Sequence, residues 1–158
     1  MALAKTKETP AVDTKLDISR VFKAPRSKVW EAWTDAKAIA KWWGPEGMTP
    51  IVEKFEAKVG KVYRTGMRAA NGDTVWVSGS FKEVVLEKRL VFSWAWDHGD
   101  RHVTQVTVSF EDASGGTKVR LVHELFLTKD DRDNHKTGWT STLTCLGDAL
   151  AGKGKAAA

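Results

Sequence analysis

The chain has few cysteines and no long hydrophobic run, and each shortage excludes a class of protein. Cys145 is the only cysteine, so an internal disulfide and a cysteine-based metal site are both excluded. The longest uninterrupted apolar run is residues 1–4, whereas a membrane span needs about 20 apolar residues. The chain also starts without the charged-then-apolar pattern of a signal peptide. We therefore expect a soluble, cytoplasmic protein with no membrane span.

The charge is mildly positive and evenly spread. There are 25 Lys and Arg residues against 20 Asp and Glu residues, for a formal net charge of +5. Lys153 and Lys155 near the C-terminus carry two of these positive charges, and no basic block occurs elsewhere. Nucleic-acid binding needs a clustered basic face, so we expect no nucleic-acid partner. The aromatic content is unusual, with eight tryptophans against one tyrosine.

The first third of the chain predicts one strand and two short helices. Residues 1–13 read as a flexible N-terminal tail, and residues 15–22 alternate as a strand. Pro25 suits the first turn of a helix, because its missing N–H is not needed there. Asp35 supplies a cap for a second helix, which residues 44–47 end.

The remainder predicts a meander of strands followed by one long helix. Asn71-Gly72 and Ser114-Gly115-Gly116 are hairpin turns between alternating segments, and about six strands fit between residues 48 and 128. Asp130 or Asp131 can cap a final helix, whose apolar stripe consists of Trp139, Leu143, Leu146 and Leu150. The expected fold class is α+β, with a curved antiparallel sheet of about seven strands around a long C-terminal helix. It forms one domain, residues 14–151, before a flexible C-terminal tail, residues 152–158.

Several short motifs carry a resemblance to a known family across residues 14–151. In chain order they are residues 20–25 (RVFKAP), 29–35 (VWEAWTD), 41–45 (KWWGP), 79–84 (GSFKEV), 89–92 (RLVF), 115–117 (GGT), His123 and residues 138–139 (GW). The chain resembles the homologues of the activator of the 90-kDa heat-shock chaperone ATPase. These belong to the SRPBCC superfamily, with START domains, the birch-pollen allergen and polyketide cyclases. The resemblance implies the helix-grip fold, with two short helices between strands one and two.

The resemblance also implies a function class. Superfamily members hold an apolar or amphipathic small molecule between the sheet and the last helix, so we expect a ligand-binding protein, with a stress-response role implied by the family. The alternative is an enzyme of the polyketide cyclase, dehydratase or hydrolase type that uses the same cavity. Chaperone ATPase co-activation is a third, less expected possibility. The eukaryotic activator engages the chaperone through a separate amino-terminal domain, which we do not expect in a chain of this length. Fold alone does not choose among these functions.

The candidate ligand-binding residues are large, mostly aromatic side chains on the expected inner face. Indoles offer broad apolar walls and one N–H donor each, and alternation places Tyr63 with Met67 on one face of a strand and His123 among inward apolar neighbours. The candidates are Trp42, Trp43, Tyr63, Met67, Trp94, Trp96, His123 and Trp139. Each has a plainer interpretation as core packing, and either Trp42 or Trp43 can be the one that faces the cavity.

The sequence predicts no catalytic residue, no metal ligand and no cofactor. His123 is either a general acid or base or a hydrogen-bonded core residue. His98 and His102 are separated by a turn and have no evident third ligand, while Cys145 has no adjacent base to activate it. An exposed aromatic patch at Trp42 and Trp43 would instead favour a protein contact. Dimerisation, through that patch or a sheet edge, is left open.

Overall fold

The computed structural model describes residues 14–155, and the elements follow the order expected from the sequence. The predicted N-terminal tail, residues 1–13, and residues 156–158 lie outside the described residues. The elements are β1 (Leu16–Phe22), α1 (Arg26–Thr34), α2 (Ala36–Ile39), β2 (Thr49–Lys54), β3 (Val62–Arg68), β4 (Thr74–Val85), β5 (Arg89–Trp96), β6 (Thr104–Ala113), β7 (Gly116–Glu124) and α3 (Lys129–Leu150).

The seven strands form one curved antiparallel sheet in the order β1-β7-β6-β5-β4-β3-β2. Consecutive strands from β2 to β7 are neighbours, and β1 joins the far side of β7. The connection from β1 to β2 therefore crosses the whole sheet, and α1 and α2 lie within it. Helix α3 packs against β1 and α1. This is the helix-grip fold, so the fold class predicted from the sequence is confirmed.

Local signals in the sequence account for several element ends. Gly72 has φ +94°, as the Asn71-Gly72 turn between β3 and β4 requires. Asp35 caps α2, because its Oδ2 accepts a hydrogen bond from Ala38 N at 3.1 Å. The predicted cap of α3 is wrong by two or three residues: Thr128 Oγ1 accepts from Asp131 N at 3.1 Å. Asp131 therefore supplies a backbone donor in the first turn rather than the capping oxygen.

Five tryptophans meet at the centre of the fold, and we call them the indole cluster: Trp33, Trp42, Trp43, Trp94 and Trp139. The ring of Trp33 stacks on that of Trp139 at 6.2 Å and meets Trp42 edge-on at 4.7 Å. The ring of Trp94 lies 5.2 Å from that of Trp139 and 5.9 Å from that of Trp43. The cluster thus joins α1, the segment after α2, β5 and α3. This contact explains the surplus of tryptophan over tyrosine.

Residues 152–155, where the sequence predicts the start of a flexible tail, run back along the segment after α2. Gly152 turns the chain with φ +85°. Lys155 N then donates to Lys41 O at 2.7 Å. The side chain of Lys155 reaches the loop that follows Trp43, a contact that is taken up below.

Candidate functional site

An apolar cavity of about 260 Å³ lies between α3 and the sheet. Its walls come from α3, β3, β5 and the segment just after α2. The lining residues are Trp43, Gly44, Pro45, Met67, Trp94, Trp96, Asn134, His135, Gly138, Trp139 and Thr142. The volume is just below the roughly 300 Å³ at which sites for drug-sized ligands begin, so the cavity suits a small ligand of one or two rings or a short chain.

Five of the eight residues predicted from the sequence line this apolar cavity together: Trp43, Met67, Trp94, Trp96 and Trp139. Four of the five are tryptophans, and they come from three separate parts of the chain. Broad indole faces make up much of the wall, which favours an aromatic or other apolar guest. The structure also distinguishes the two adjacent tryptophans, because Trp43 lines the cavity and Trp42 does not.

The other three predicted residues lie behind the cavity wall, and each is held there by a hydrogen bond. Trp42 is fully buried, and its Nε1–H donates to Ala32 O at 2.9 Å. The hydroxyl of Tyr63 donates to the backbone oxygen of Ser93 at 2.6 Å, and its ring borders a separate small void of about 10 Å³. His123 is fully buried beneath Trp139. Tyr63 and His123 point inward, as strand alternation predicts. An inward direction alone, however, does not give a side chain access to the cavity.

Sequence reasoning missed six lining residues: Gly44, Pro45, Asn134, His135, Gly138 and Thr142. Four of them lie on α3, at helical spacing from Trp139. His135 precedes Trp139 by four positions and Thr142 follows it by three, so both share its face. Helical spacing from Trp139 could therefore have identified His135 and Thr142. The prediction did not include them because it considered only the apolar residues of this helix face.

His123 stands at the centre of a buried hydrogen-bond chain. Trp139 Nε1–H donates to His123 Nδ1 at 3.0 Å, so the proton of the neutral ring is on Nε2. That Nε2–H donates to Thr104 Oγ1 at 2.7 Å, and the Thr104 hydroxyl donates to Trp94 O at 3.1 Å. Burial, followed by the nearby His135, lowers the pKa of His123 well below its ordinary value of 6.5. The imidazole is therefore neutral and has both nitrogens engaged.

His135 is held in the opposite tautomer by a second indole. Trp96 Nε1–H donates to His135 Nε2 at 2.9 Å, and His135 Nδ1–H donates to Asp131 O at 2.7 Å. Burial lowers the pKa of His135 as well, although its bond to Asp131 acts in the other direction. The two imidazoles lie 5.2 Å apart between ring centres. A general base needs a free lone pair, and in this arrangement indole N–H groups occupy the lone pairs of both rings.

A second cavity of about 240 Å³ adjoins the apolar one, and we call it the polar cavity because its wall is the more polar of the two. The two share Trp94, Trp96 and His135, so the hydrogen-bonded pair of Trp96 and His135 forms part of the partition between them. The polar cavity is lined by residues 98–102, which carry two histidines, an aspartate and an arginine, and by the start of α3. The two cavities together offer an apolar compartment beside a more polar one, and this arrangement suits an amphipathic molecule.

Two indole N–H groups beside the apolar cavity have no acceptor among residues 14–155. These are Nε1 of Trp43 and Nε1 of Trp94, whose side chains are 2% and 4% exposed. A buried donor without a partner costs about 1–3 kcal/mol. Both nitrogens are shielded, so a ligand acceptor would reach them only after a small rotation of the ring.

Cys145 has the character of a packing residue. Its side chain is buried on α3, and burial is the main reason why the pKa of its thiol is raised. A thiol is nucleophilic only as the thiolate. This agrees with the sequence analysis, which found no adjacent base to activate Cys145.

Stability is expected to fall as the pH drops below 6.5, because burial lowers the folded-state pKa of both His123 and His135 from that ordinary value. Below it the unfolded chain binds protons that the folded protein does not. Each histidine then lowers the free energy of unfolding by up to about 1.4 kcal/mol per pH unit. Urea unfolding from about pH 7.5 to 5.5, above the range where most carboxylates titrate, measures this. A constant free energy of unfolding across that window would contradict the expectation.

Within residues 14–155, no group of three or more histidine, cysteine, aspartate or glutamate side chains is placed to hold a metal ion. None of the helices in this range is long and apolar enough to cross a membrane.

Comparison with known proteins agrees with the fold. The family model described as Activator of Hsp90 ATPase homolog 1-like protein matches residues 23–151. Among curated proteins no match is found. The crystal structure of protein CV1439 from Chromobacterium violaceum is 27% identical, with a TM-score of 0.81 over 87% of this chain and 96% of that one. The AHSA1 protein from Silicibacter pomeroyi, at 24% identity, has a TM-score of 0.79 over 87% and 97% of the two chains and shows the fold alone. Because the family model spans most of its length, the chain belongs to the Activator of Hsp90 ATPase homolog 1-like family, within the SRPBCC superfamily.

Proposed function

We propose that the protein binds a small apolar or amphipathic molecule in the apolar cavity. The observation that carries this proposal is the cavity wall, in which Trp43, Trp94, Trp96 and Trp139 surround about 260 Å³ beneath α3. A guest that buries about 250 Å² of apolar surface there would gain roughly 6 kcal/mol before the cost of association is subtracted. Even without that cost, about 6 kcal/mol corresponds to a dissociation constant of about 40 μM, so apolar burial alone supports weak binding and polar contacts must supply any higher affinity.

The unpartnered indole donors refine the ligand class. Trp43 and Trp94 each have a buried N–H without an acceptor in residues 14–155. An oxygen acceptor on the ligand, such as a carbonyl, carboxylate or ether, would remove that penalty when the ring turns toward it. We therefore propose an aromatic or short-chain ligand with an oxygen function, whose polar end points toward the polar cavity.

Binding without chemistry is favoured over the enzyme alternative by the state of the two imidazoles. His135 lines the cavity, but its Nε2 accepts from Trp96 and its Nδ1–H is used by Asp131 O. His123 is engaged at both nitrogens and lies behind Trp139. A catalytic role would require one of these bonds to break first. The protein-contact alternative needed an exposed patch at Trp42 and Trp43, and both side chains are buried.

Native mass spectrometry of freshly purified protein is the first test. A stoichiometric adduct that is lost on denaturation would support the proposal and give the ligand's mass. A defined probe, 2-naphthol, is then titrated while the eight indole N–H signals are followed by NMR. We expect shifts at Trp43, Trp94, Trp96 and Trp139. Trp76 serves as the internal control, because it does not line the cavity and stacks under Arg64 at 4.1 Å.

A cavity-filling variant makes the test specific. A Cβ built on Gly138 meets no atom within 4 Å, so the side chain in Gly138→Leu has room to extend into the cavity. We expect it to lower 2-naphthol affinity at least about tenfold while the protein stays folded, since a blocked site forfeits most of the burial energy. Gly138→Ala, which adds one methyl group, is the matched control and should retain binding. Equal shifts at Trp76, or unchanged affinity in Gly138→Leu, would contradict binding in this cavity.

A further inference from the structure

Four backbone oxygens converge on one lysine beside the apolar cavity. Lys155 Nζ lies 3.2 Å from the carbonyl oxygen of Trp43 and 2.9 Å from those of Gly44, Pro45 and Met48. We call these four oxygens the carbonyl cage, and residues 43–48, which supply them, the cage loop. The cage loop lies between α2 and β2.

This geometry requires a cation. Carbonyl oxygens are the negative ends of their dipoles and carry no proton to share, so four that face one point repel one another unless a positive group lies between them. An ammonium has three N–H donors, and the Lys155 side chain is long enough to place them there. Hydrogen bonds from a charged donor contribute about 1.5–3 kcal/mol each when well formed.

The backbone delivers Lys155 to this position. After α3 the chain turns at Gly152, and Lys155 N donates to Lys41 O at 2.7 Å. A Cβ on Gly154 would lie 3.0 Å from Lys41 Cβ, so the chain closely approaches the segment after α2 there. Lys155 is therefore held by its own main chain as well as by its ammonium.

The cage loop is also a wall of the apolar cavity. Trp43, Gly44 and Pro45 line that cavity. Gly44 packs against Met67, since a Cβ on it would lie 3.1 Å from Met67 Cγ. At the other side, Glu46 N donates to Ser141 Oγ of α3 at 2.8 Å. The conformation that brings the oxygens together is thus the conformation that places the Trp43 indole in the cavity wall.

We propose that the carbonyl cage is a monovalent-cation site that Lys155 fills from within the chain, and that its occupancy fixes the Trp43 wall of the cavity. The cation site is inferred from the hydrogen bonds of Lys155 alone. The effect of its occupancy on ligand affinity rests on the proposed function. Lys155 is a positioning residue, because it acts on the cavity through the backbone of the cage loop.

Hydrogen exchange on the full-length chain tests the cage directly. In Lys155→Ala we expect the amides of Glu46 and Met48 to exchange at least about tenfold faster, because opening no longer breaks charge-assisted bonds. Amides of β5 and β6 should not change. Lys153→Ala is the matched control, since it removes a charge from the same segment and its exposed side chain does not contact the cage. Equal exchange in the two variants would overturn the proposal.

Chemical rescue separates a cation site from a general packing role. Ammonium or potassium ions are small enough to enter the vacated cage, so either should restore slow exchange to Lys155→Ala. Lithium at the same ionic strength should not, because it holds its own water tightly. Identical effects of ammonium and lithium, or rescue by neither, would overturn the cation site.

The affinity of 2-naphthol tests the link to the cavity. We expect Lys155→Ala to weaken it about tenfold, and ammonium to recover it in parallel with hydrogen exchange. If Lys155→Ala changes hydrogen exchange but not 2-naphthol affinity, the link between the cage and the cavity wall is overturned, and the cation site itself is still supported. If the parent protein fails to bind 2-naphthol and carries no adduct, the proposed function fails, and the exchange experiment still decides the cage.

Discussion

Replacing Gly79 with alanine is expected to remove about 3 kcal/mol or more from the free energy of unfolding, a large part of a typical domain's stability. A Cβ at this position would lie 1.9 Å from the backbone oxygen of Ser93 and 2.6 Å from its carbonyl carbon. Both are main-chain atoms of β5, so no side-chain rotation relieves the clash. The same oxygen accepts the hydroxyl of Tyr63, which pairs with Gly79 across β3 and β4. Strand separation would therefore break a buried hydrogen bond as well.

Urea unfolding of Gly79→Ala measures the loss, and Gly147→Ala is its matched control. A Cβ on Gly147 in α3 would lie 3.7 Å from the ring of Phe22, an ordinary contact. Alanine there should stabilise the protein by up to about 1 kcal/mol through helix propensity. Tyr63→Phe removes the hydroxyl without a clash and should cost only about 1 kcal/mol. Gly79→Ala within about 0.5 kcal/mol of the parent would show that β4 and β5 separate freely.

The fold could be predicted from the sequence because its signals are local. Asn71-Gly72 specifies a hairpin whichever strands flank it, and alternation assigns Tyr63, Met67 and His123 to the inner face without knowledge of what lies opposite. The family resemblance added the helix-grip arrangement. Element ends were less certain, as the shift of the α3 cap to Thr128 shows, since threonine and aspartate offer similar capping oxygens.

The candidate site was harder to predict because it depends on what lies between elements. Trp42 and Trp43 follow the end of α2 and are adjacent, so the sequence does not say which of them faces the cavity. Distant contacts decide it: the Trp42 indole donates to Ala32 O, and Trp43 O accepts from Lys155 Nζ. His123 points inward as predicted, yet Trp139 from α3 covers it. The carbonyl cage has no side-chain motif at all, because its ligands are backbone atoms.

The tryptophans do more than form walls. Trp139 and Trp96 each donate an indole N–H to an imidazole, and each bond selects one tautomer of its histidine. The same side chains line the cavity on their other faces. Phenylalanine could supply the apolar wall but not the donor, which is a physical reason for indole at these positions.

Replacing His123 with leucine is expected to cost about 2–4 kcal/mol of stability. Leucine has similar bulk, so the loss comes from polar groups rather than from a cavity. The Trp139 N–H would lose its acceptor, and Thr104 Oγ1 would lose the Nε2–H donor. The orphaned Trp139 donor costs about 1–3 kcal/mol, and the lost bond to Thr104 costs about 1 kcal/mol more. Because the substitution also removes a buried group that resists protonation, the fall in stability below pH 6.5 should become shallower by up to about 1.4 kcal/mol per pH unit.

A double-mutant cycle with Trp139→Phe identifies the source of this cost. Phenylalanine has no N–H, so once Trp139 is replaced the leucine at position 123 no longer leaves a donor without an acceptor. The double variant should therefore be more stable than the sum of the single losses predicts, with a coupling of about 1 kcal/mol or more. Additive losses would mean that the bond between Trp139 and His123 contributes little. Coupling with an unchanged pH dependence would assign the acid sensitivity to His135, whose pKa is also lowered by burial.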